Sequence, residues 1–383
     1  MTPAARVAAA IEILDRVLAG DPAEPTLIRW ARSSRFAGSG DRAAVRDLVY
    51  DTLRRLRSRA ALGGGMTGRA LMLGMCREAG LDAETVFSGE GHAPTPLDAA
   101  ERGAGQPPAG AELLDLPDWL LPRWRDSLGE HADEIALMMR ERAPVWLRVN
   151  LARTEPAAVG AMLAEAGIAT LPSADLPSAL VVTDGVRKLA SSLPYQQGLV
   201  ELQDLSAQMA CAALPITGSV LDYCAGGGGK ALAMAALGAG AITAHDIDPA
   251  RMSDLPDRAA RAGAKIELAE PGALSGTFEL VIADVPCSGS GTWRRTPDQK
   301  WRLTEERLAS LVTLQASIVD KAASFVGRGG YLAYMTCSVI SDENEDQVGA
   351  FLARSPAFQM VTSRHFTPLE ASDGFYMALF RRD

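Results

Sequence analysis

The sequence predicts an α/β protein. Its C-terminal half should form a doubly wound, mostly parallel twisted sheet, preceded by a small α+β unit and an all-helical N-terminal domain. Three observations lead to this fold class. From residue 218 the chain alternates strand, glycine turn, helix and strand. Apolar runs within 278–291 and 329–340 are short and bounded by Gly, Pro and Ser, which is typical of buried parallel strands. Residues 3–60 instead carry apolar side chains at helical spacing.

Length and composition limit the possible classes of protein. At 383 residues the chain is too long for one ordinary core, so two or three domains are expected. No apolar stretch reaches membrane-spanning length, and the N-terminus lacks a signal-peptide core. The five cysteines have wide, irregular spacing that matches neither a disulfide framework nor a paired zinc motif. We therefore expect a cytoplasmic protein, monomeric, with free thiols and with no membrane or metal partner.

Charge is unevenly distributed along the chain. The net charge is −9, which is unusual for a nucleic-acid-binding protein. Residues 1–80, however, contain 13 arginines and no lysine against eight acidic residues. A basic N-terminal part on an acidic protein indicates a polyanionic partner, although a solvated helix face explains it almost as well.

The pattern along the chain divides it into four segments. Residues 1–80 should be the helical domain, and 81–115, rich in Gly, Pro and Ala, a linker or poorly ordered insert. Residues 116–205 should combine a helix with a small α+β subdomain, since alternating and helical patterns follow one another there. Residues 206–383 should form the sheet domain.

Within the helical domain, 5–18 and 41–56 have the clearest amphipathic pattern. Arg54, Arg55 and Arg57 crowd the C-terminal end of the second predicted helix. Cations there suit the helix dipole whatever else they do. They are also candidates for contacts to the phosphates of a nucleic acid.

The glycine-rich turn at 225–230 points to a bound cofactor. It is not a phosphate-binding P-loop, because Cys224 stands at the position of the first glycine and Ala231 follows the lysine. A dinucleotide site remains possible on the loop alone. The positions of Asp222 in the first strand and Asp246 at the end of the second favour S-adenosylmethionine, whose ribose and amino-acid tail fit such a site without any phosphate.

Two cysteines follow the apolar runs of the sheet domain. Cys287 lies in 284–291 (DVPCSGSG), and Cys337 lies in 336–338 (TCS). A free cysteine is more often a small buried hydrophobic residue than a reactive one. Because functional groups in open α/β sheets collect at the carboxyl ends of strands, we expect both thiols to share one crevice.

Four ordered motifs carry a resemblance to a known family. They are 222–231 (DYCAGGGGKA), 284–291 (DVPCSGSG), 294–301 (RRTPDQKW) and 336–345 (TCSVISDENE). In these motifs the chain resembles the RsmB/Sun (Fmu) family of RNA cytosine-5 methyltransferases. The resemblance extends through 145–150 and 200–208, and the helical N-terminal part resembles a shortened NusB-like RNA-binding domain.

The resemblance implies a Rossmann-like class I methyltransferase domain that uses S-adenosylmethionine. It implies that Cys337 attacks C6 of cytosine, that Cys287 assists product release, that Asp284 contacts the base at N3 and the amino group, and that Lys230 lies near the cofactor tail or the base. The cofactor-binding candidates are Asp222, Cys224, Ala225, Gly226, Gly227, Gly228, Gly229, Lys230, Asp246, Arg251, Glu270 and Asp284.

The sequence departs from the family pattern at the cofactor loop. Gly226 and Gly227 replace the usual Ala-Pro, and Ala231 replaces Thr. The family usually has an Asp after the third strand, for which Glu270 is the available substitute. We therefore expect a more flexible loop and weaker cofactor binding.

Chemistry alone does not choose between the two thiols. In DNA cytosine-5 methyltransferases the Pro-Cys thiol attacks, which would make Cys287 the nucleophile, whereas a second cysteine in Thr-Cys-Ser favours the RNA class. Arg294, Arg295 and Lys300 are interleaved with tryptophans, a mixture that suits stacking on unpaired bases and contacts to phosphates.

The sequence therefore predicts a methyltransferase that modifies a cytosine of small-subunit (16S) ribosomal RNA. The alternatives are a transfer-RNA or DNA cytosine-5 methyltransferase, or a non-catalytic RNA-binding protein with a degenerate methyltransferase domain.

Overall fold

A computed structural model describes all 383 residues. The chain forms two compact units. The first consists of residues 1–142 together with 293–305, and the second of residues 143–292 together with 306–383. The short segment 293–305 therefore belongs to the first unit, although it comes directly after one of the cysteine motifs in the sequence.

Seventeen α-helices and eleven strands make up the two units. The helices are α1 (Pro3–Leu18), α2 (Ala23–Ser33), α3 (Ser39–Arg54), α4 (Leu56–Gly63), α5 (Gly68–Glu78), α6 (Ala83–Val86), α7 (Ala99–Gly103), α8 (Leu120–Leu128), α9 (Ala132–Met138), α10 (Pro156–Glu165), α11 (Leu193–Gln196), α12 (Leu205–Ala212), α13 (Gly229–Ala236), α14 (Leu255–Ala262), α15 (Pro297–Arg302), α16 (Glu305–Ala323) and α17 (Glu345–Arg354). The strands are β1 (Val145–Val149), β2 (Ala169–Pro172), β3 (Ala179–Asp184), β4 (Val200–Leu202), β5 (Ser219–Asp222), β6 (Ala241–His245), β7 (Ile266–Ala269), β8 (Phe278–Asp284), β9 (Val326–Thr336), β10 (Phe358–Phe366) and β11 (Phe375–Arg382).

The first unit contains no strand. Its helices bury an apolar core that includes Ile13, Leu14 and Leu53. The predicted helix over 41–56 is divided at Arg55, whose backbone is not helical, into α3 and α4. Residues 81–115, expected as a linker or poorly ordered insert, include α6 and α7, and Phe87 is fully buried in the helical core. Buried side chains such as Phe87 and Leu97, together with hydrogen bonds from Arg77 to backbone carbonyls, order a stretch that has little apolar pattern.

Segment 293–305 completes the core of the first unit. The indole of Trp293 is 1% exposed and stacks on Trp124 at a ring distance of 6.0 Å. The Trp301 indole donates a hydrogen bond to the Leu53 carbonyl (2.7 Å). Trp293 is fully buried beside Trp124, and Trp301 packs partly buried against the helical core, so this short segment makes a large apolar contribution to the stability of the unit.

The second unit begins with a four-stranded antiparallel sheet in the order β2-β3-β1-β4. Its connections follow a β-α-β-β-α-β pattern, with α10 and α11 as the two helices. Leu147, Val149 and Leu163 lie in its core and are at most 1% exposed. This is the small α+β subdomain that the sequence predicts.

The rest of the second unit is built on a seven-stranded sheet in the order β10-β11-β9-β8-β5-β6-β7. Strands β7, β6, β5, β8 and β9 are parallel, and the β11 and β10 strands extend the sheet in antiparallel fashion. This arrangement confirms the predicted Rossmann-like α/β class. The strand order reverses between β5 and β8, and a ligand crevice forms at such a point, outside the carboxyl ends of the strands.

None of the helices combines the length and the apolar composition that a membrane-spanning helix requires.

Candidate active site

The two cysteine turns meet at the carboxyl ends of β8 and β9. These strands are parallel neighbours, so the turns that follow them lie side by side. The Sγ atoms of Cys287 and Cys337 are 3.2 Å apart, and both side chains are partly buried. The hydrogen bond to Cys337, together with burial, raises the pKa of the Cys287 thiol well above its usual value. At neutral pH Cys287 keeps its proton, so its S–H is available to donate to the Cys337 sulfur.

Lys230 and Asp284 form an ion pair at the same edge of the sheet. Lys230 lies in the first turn of α13 and Asp284 is the last residue of β8. The ammonium contacts the Asp284 carboxylate and lies 5.3 Å from the centre of the Phe375 ring. Burial by itself lowers the pKa of Lys230, but the attraction of Asp284 outweighs it and leaves the pKa raised. Lys230 is thus a permanent cation directed into the crevice rather than to solvent.

The glycine loop joins β5 to α13 in a conformation that requires glycine. Gly228 has φ +78°, and a Cβ there would lie 2.2 Å from the Leu255 side chain. The Asp222 carboxylate accepts a hydrogen bond from the Ala231 amide (3.0 Å) at the start of α13. Its other oxygen, Oδ1, is buried and has no hydrogen-bond partner. Burial raises the pKa of Asp222 to about 7.

Asp246 fixes the other side of the loop. It follows β6 and is 1% exposed. Its carboxylate accepts hydrogen bonds from the Gly226 amide (2.9 Å) and the Arg251 guanidinium (3.0 Å). The next residue, Ile247, is 81% exposed, which is unusual for a large apolar side chain beside a buried acid. The exposed Glu270 comes directly after β7, at the end of the neighbouring strand.

The remaining loop residues support the backbone. Cys224 is largely buried, and burial, reinforced by nearby carboxylates, raises the pKa of its thiol. The Ala225 amide donates to the His245 carbonyl (2.9 Å). The Gly227 carbonyl accepts from Arg258, and the Gly229 carbonyl accepts from Arg148 of β1 (3.0 Å). The small α+β subdomain therefore takes part in holding the loop.

A buried polar layer lies behind the two cysteine turns. It contains Glu343, Asn344 and Gln315, all 0% exposed. The sequence analysis placed Glu343 and Asn344 in a family motif but assigned them no role. It did not identify Gln315 or Ile247. A polar triplet that follows a strand end and falls inside an otherwise apolar core is the signal that could have identified Glu343 and Asn344.

The structure buries several residues expected to contact RNA. Arg54, Arg294 and Lys300 are 8%, 6% and 1% exposed, all within the first unit. The Arg54 guanidinium donates to the Arg294 carbonyl (2.7 Å), and the Lys300 ammonium lies 4.6 Å from the Trp301 ring centre. Such side chains are placed to stabilise the helical core, and their burial does not fit contacts to phosphates.

The other candidate RNA-binding residues lie nearer the surface. Arg55 pairs with Asp51 (2.7 Å) and Arg57 pairs with Asp118 (2.7 Å), and both side chains are 19% exposed. Arg295 is exposed. Arg55 and Arg57 are therefore already paired with local carboxylates.

Two segments of the chain match described protein families. Residues 214–381 match the family described as 16S rRNA methyltransferase RsmB/F, and residues 116–187 match the ferredoxin-like domain described for the same RsmF/B group. Together these two segments account for more than half of the chain.

Curated relatives include the ribosomal RNA small subunit methyltransferase B of Klebsiella pneumoniae subsp. pneumoniae, 34% identical over 286 residues, or 68% of this chain and 65% of the relative. The same-named protein of Escherichia coli O6:K15:H31 is 34% identical over 281 residues, with the same two shares. The chain thus spans slightly less than two thirds of the length of these relatives.

Solved structures with the same fold include PH0851, with a TM-score of 0.77 and 22% identity over 100% of this chain and 99% of that one. NSun6 from Pyrococcus horikoshii, solved with SFG, has a TM-score of 0.63 and 18% identity over 70% of this chain and 99% of that one. At these identities the likeness shows the fold, a class I methyltransferase type of sheet domain. The family is shown by the two matched segments and the curated relatives. The chain belongs to the RsmB/F methyltransferase family.

Proposed function

We propose that the protein is an S-adenosylmethionine-dependent RNA cytosine-5 methyltransferase that acts on small-subunit (16S) ribosomal RNA. The observation that carries the proposal is the pair of thiols, 3.2 Å apart, beside the Lys230–Asp284 ion pair. Addition of a thiol to C6 is the step that makes C5 of cytosine nucleophilic. The names of the curated relatives support ribosomal RNA as the substrate.

The residues around the glycine loop fit S-adenosylmethionine. The unpartnered Asp222 Oδ1 is placed to accept from the ammonium of the amino-acid tail. Asp246 is an acid at the end of the second parallel strand, where ribose hydroxyls bind in this type of fold. The exposed Ile247 offers an apolar surface for the adenine. When bound, the cofactor supplies an electrophilic methyl group.

In the proposed reaction the Cys337 sulfur forms a bond to C6, and electron density moves to C5, which accepts the methyl group. Asp284 contacts the base at N3 and the amino group, and Lys230 holds that carboxylate in place. Solvent water then takes the C5 proton, the electron pair of that C–H bond reforms the C5–C6 double bond, and the Cys337 sulfur leaves C6 as a thiolate, which restores the aromatic ring. Covalent addition divides one difficult substitution into easier steps.

The two thiols have different properties in this scheme. Because Cys287 keeps its proton, its S–H donates to the Cys337 sulfur and stabilises the negative charge that returns to that sulfur when the bond to C6 breaks. A raised pKa leaves little Cys287 thiolate at neutral pH, so Cys287 is poorly suited to attack. Together with the family resemblance, this supports Cys337 as the attacking residue and Cys287 as the helper in release.

RNA binding in this proposal uses exposed cations such as Arg295 rather than the buried Arg54, Arg294 and Lys300. Arg55 and Arg57 can contribute only after they exchange their carboxylate partners for phosphates.

The function is tested by incubating the purified protein with methyl-labelled S-adenosylmethionine and 16S ribosomal RNA that has not been modified. We expect 5-methylcytosine at one position, found by nucleoside mass spectrometry and located by bisulfite sequencing. Transfer-RNA and DNA substrates, tested in parallel, should remain unlabelled. Label on another base would contradict the cytosine-5 assignment, and cofactor binding without transfer to any substrate would favour a non-catalytic role.

A further inference from the structure

We propose that Glu343 and Asn344 form a clamp that positions both cysteine turns, one residue for each turn, and thereby sets the distance between the two thiols. Gln315, which supports Glu343, is counted as the third residue of the clamp. It deepens the proposed methyl transfer and rests on it, because the clamp residues act through Cys287 and Cys337 and touch no reacting atom.

Glu343 holds the turn that carries Cys287. Its carboxylate accepts from the Ser288 amide (2.8 Å) and from the Ser288 hydroxyl (2.5 Å). Gln315 of α16 donates from one amide nitrogen both to Glu343 (2.9 Å) and to the Pro286 carbonyl (3.0 Å). Cys287 is therefore fixed through the residue before it and the residue after it.

Asn344 holds the turn that carries Cys337 in the same manner. Its side-chain oxygen accepts from the Thr336 hydroxyl (2.6 Å), and its side-chain nitrogen donates to the Ser338 carbonyl (3.0 Å). Here again the residues before and after the cysteine are both bound. A single amide side chain uses its acceptor and its donor on the two sides of one thiol.

Direct contacts join the two turns to each other. The hydroxyls of Ser290 and Ser338 are 2.9 Å apart, and the Gly291 amide donates to the Cys337 carbonyl (3.0 Å). Because Glu343 and Asn344 are consecutive, a change in either residue alters the position of one turn relative to the other. Tyr334 of β9 fixes the dipeptide itself through its hydroxyl, which donates to the Glu343 carbonyl (2.6 Å).

A buried carboxylate in this position has a cost that general packing does not explain. Glu343 is 0% exposed, and it forms no ion pair with any of the 383 residues. In some proteins a buried acid is retained because its hydrogen bonds determine a particular geometry rather than overall stability. Here the geometry determined is that of the Cys287 turn.

The test compares three variants that weaken the clamp with two control variants, all in the full-length protein. Thr336→Val removes the hydroxyl that binds Asn344 with little change of shape, and Thr336→Ser restores it. Glu343→Gln and Gln315→Met loosen the Cys287 turn. Gln347→Leu is the matched control, because Gln347 is a buried amide on α17 whose side chain donates to the Val312 carbonyl (2.6 Å) and not to either cysteine turn.

The first measurement needs neither RNA nor cofactor. Diamide, an azo oxidant, takes up two electrons and two protons as the two thiols become a disulfide, and mass spectrometry of the linked 287–337 peptides follows its rate. We expect Thr336→Val, Glu343→Gln and Gln315→Met to slow the linkage about tenfold to a hundredfold, the scale on which small displacements slow positioned reactions. Thr336→Ser and Gln347→Leu should react like the wild type. Equal rates in all variants would overturn the clamp.

The second measurement follows the covalent RNA adduct on denaturing gels. Thr336→Val should slow adduct formation, whereas Glu343→Gln should form the adduct and release it slowly. If the variants slow adduct formation and adduct release by the same factor, and Gln347→Leu does so too, then the clamp residues only stabilise the fold in general. If the wild type forms no adduct while the diamide rates still differ as expected, the proposed function fails and the positioning of the thiols stands.

Discussion

Asp246 shows how a single side chain prepares the cofactor site. It is almost completely buried, yet its two oxygens accept from the glycine loop and from Arg251. A carboxylate already oriented by backbone amides needs little rearrangement to accept from a ribose hydroxyl. The residue therefore combines loop support with a direct contact to the ligand.

Replacement of Asp246 should weaken cofactor binding. We expect Asp246→Ala to reduce the affinity for S-adenosylmethionine by about 1–3 kcal/mol, the usual scale for the loss of a charge-assisted hydrogen bond. Isothermal titration calorimetry measures the change directly. Asp248→Ala, two residues further on, is the control, because its carboxylate caps a short turn and should affect binding less. Unchanged affinity in Asp246→Ala would remove this residue from the site.

Asp222 should make cofactor binding dependent on pH. Burial raises its pKa to about 7, so the carboxyl gains a proton as the pH falls from 8 to 6. Because the ammonium of the cofactor binds the charged form, affinity should decrease as the pH falls through 7 and level off above it. In Asp222→Asn the affinity should be lower and nearly constant over this range. Calorimetry at pH 6, 7 and 8 tests this, and an unchanged pH dependence in the variant would assign the titration to another group.

At the scale of elements, the parallel strands could be predicted from sequence within about two residues. The expected strands at 219–224 and 241–246 became β5 and β6, because a continuous apolar run that ends in Gly or Asp determines its own local structure. The β10–β11 hairpin was not predicted. Antiparallel pairing at the edge of a sheet depends on partners distant in sequence, and no local signal specifies it.

The candidate site could be predicted in part for a related reason. Cys287, Cys337 and Asp246 follow strands, so their meeting in one crevice could be inferred from topology. The burial of Arg54 and Lys300 could not be predicted. Charged side chains are rarely buried unless a tertiary partner compensates them, and the sequence does not reveal that partner. For Lys300 that partner is the fully buried Asp115, and burial raises the pKa of this carboxyl against the opposing effect of the lysine.

Two cations of the segment 293–305 should behave differently when replaced. Lys300→Ala should lower the melting temperature by several degrees, since about 1 kcal/mol shifts it by roughly 2–8 °C, and should leave the salt dependence of RNA binding unchanged. Arg295→Ala should lower the melting temperature less than Lys300→Ala does, because Arg295 is exposed, and it should reduce the salt slope by about 1. Calorimetric melts and binding titrations at several salt concentrations separate the two effects. A reduced slope in Lys300→Ala would return this lysine to the RNA-binding surface.

At the scale of the whole molecule, the division into units does not follow the order of the chain. Segment 293–305 leaves the second unit after the Pro-Cys turn and supplies two tryptophans to the core of the first. The sequence-based division at 80, 115 and 205 treats domains as consecutive and remains a prediction. A contribution from a distant segment is visible only once long-range contacts are known.

Hydrogen exchange in the full-length protein should reveal this dependence. Trp293→Ala removes the stacking partner of Trp124, so amide exchange should accelerate within 1–142 although the substitution lies 150 residues further along the chain. Trp146→Ala, on β1, is the matched control and should accelerate exchange within 143–205 instead. Exchange within 1–142 that is unaffected by Trp293→Ala would contradict the assignment of this segment to the helical core.

Covalent trapping tests most directly whether Cys337 attacks the base and Cys287 assists release. Each variant is incubated with RNA and S-adenosylmethionine and examined by denaturing electrophoresis for a shifted, RNA-linked band. We expect Cys287→Ala to attack and methylate once and then to retain the RNA, because the donor that assists departure of Cys337 is missing. Cys337→Ala should give neither adduct nor product. A stable adduct in Cys337→Ala would reverse the two roles, and the absence of adduct from both variants would contradict covalent catalysis by this pair.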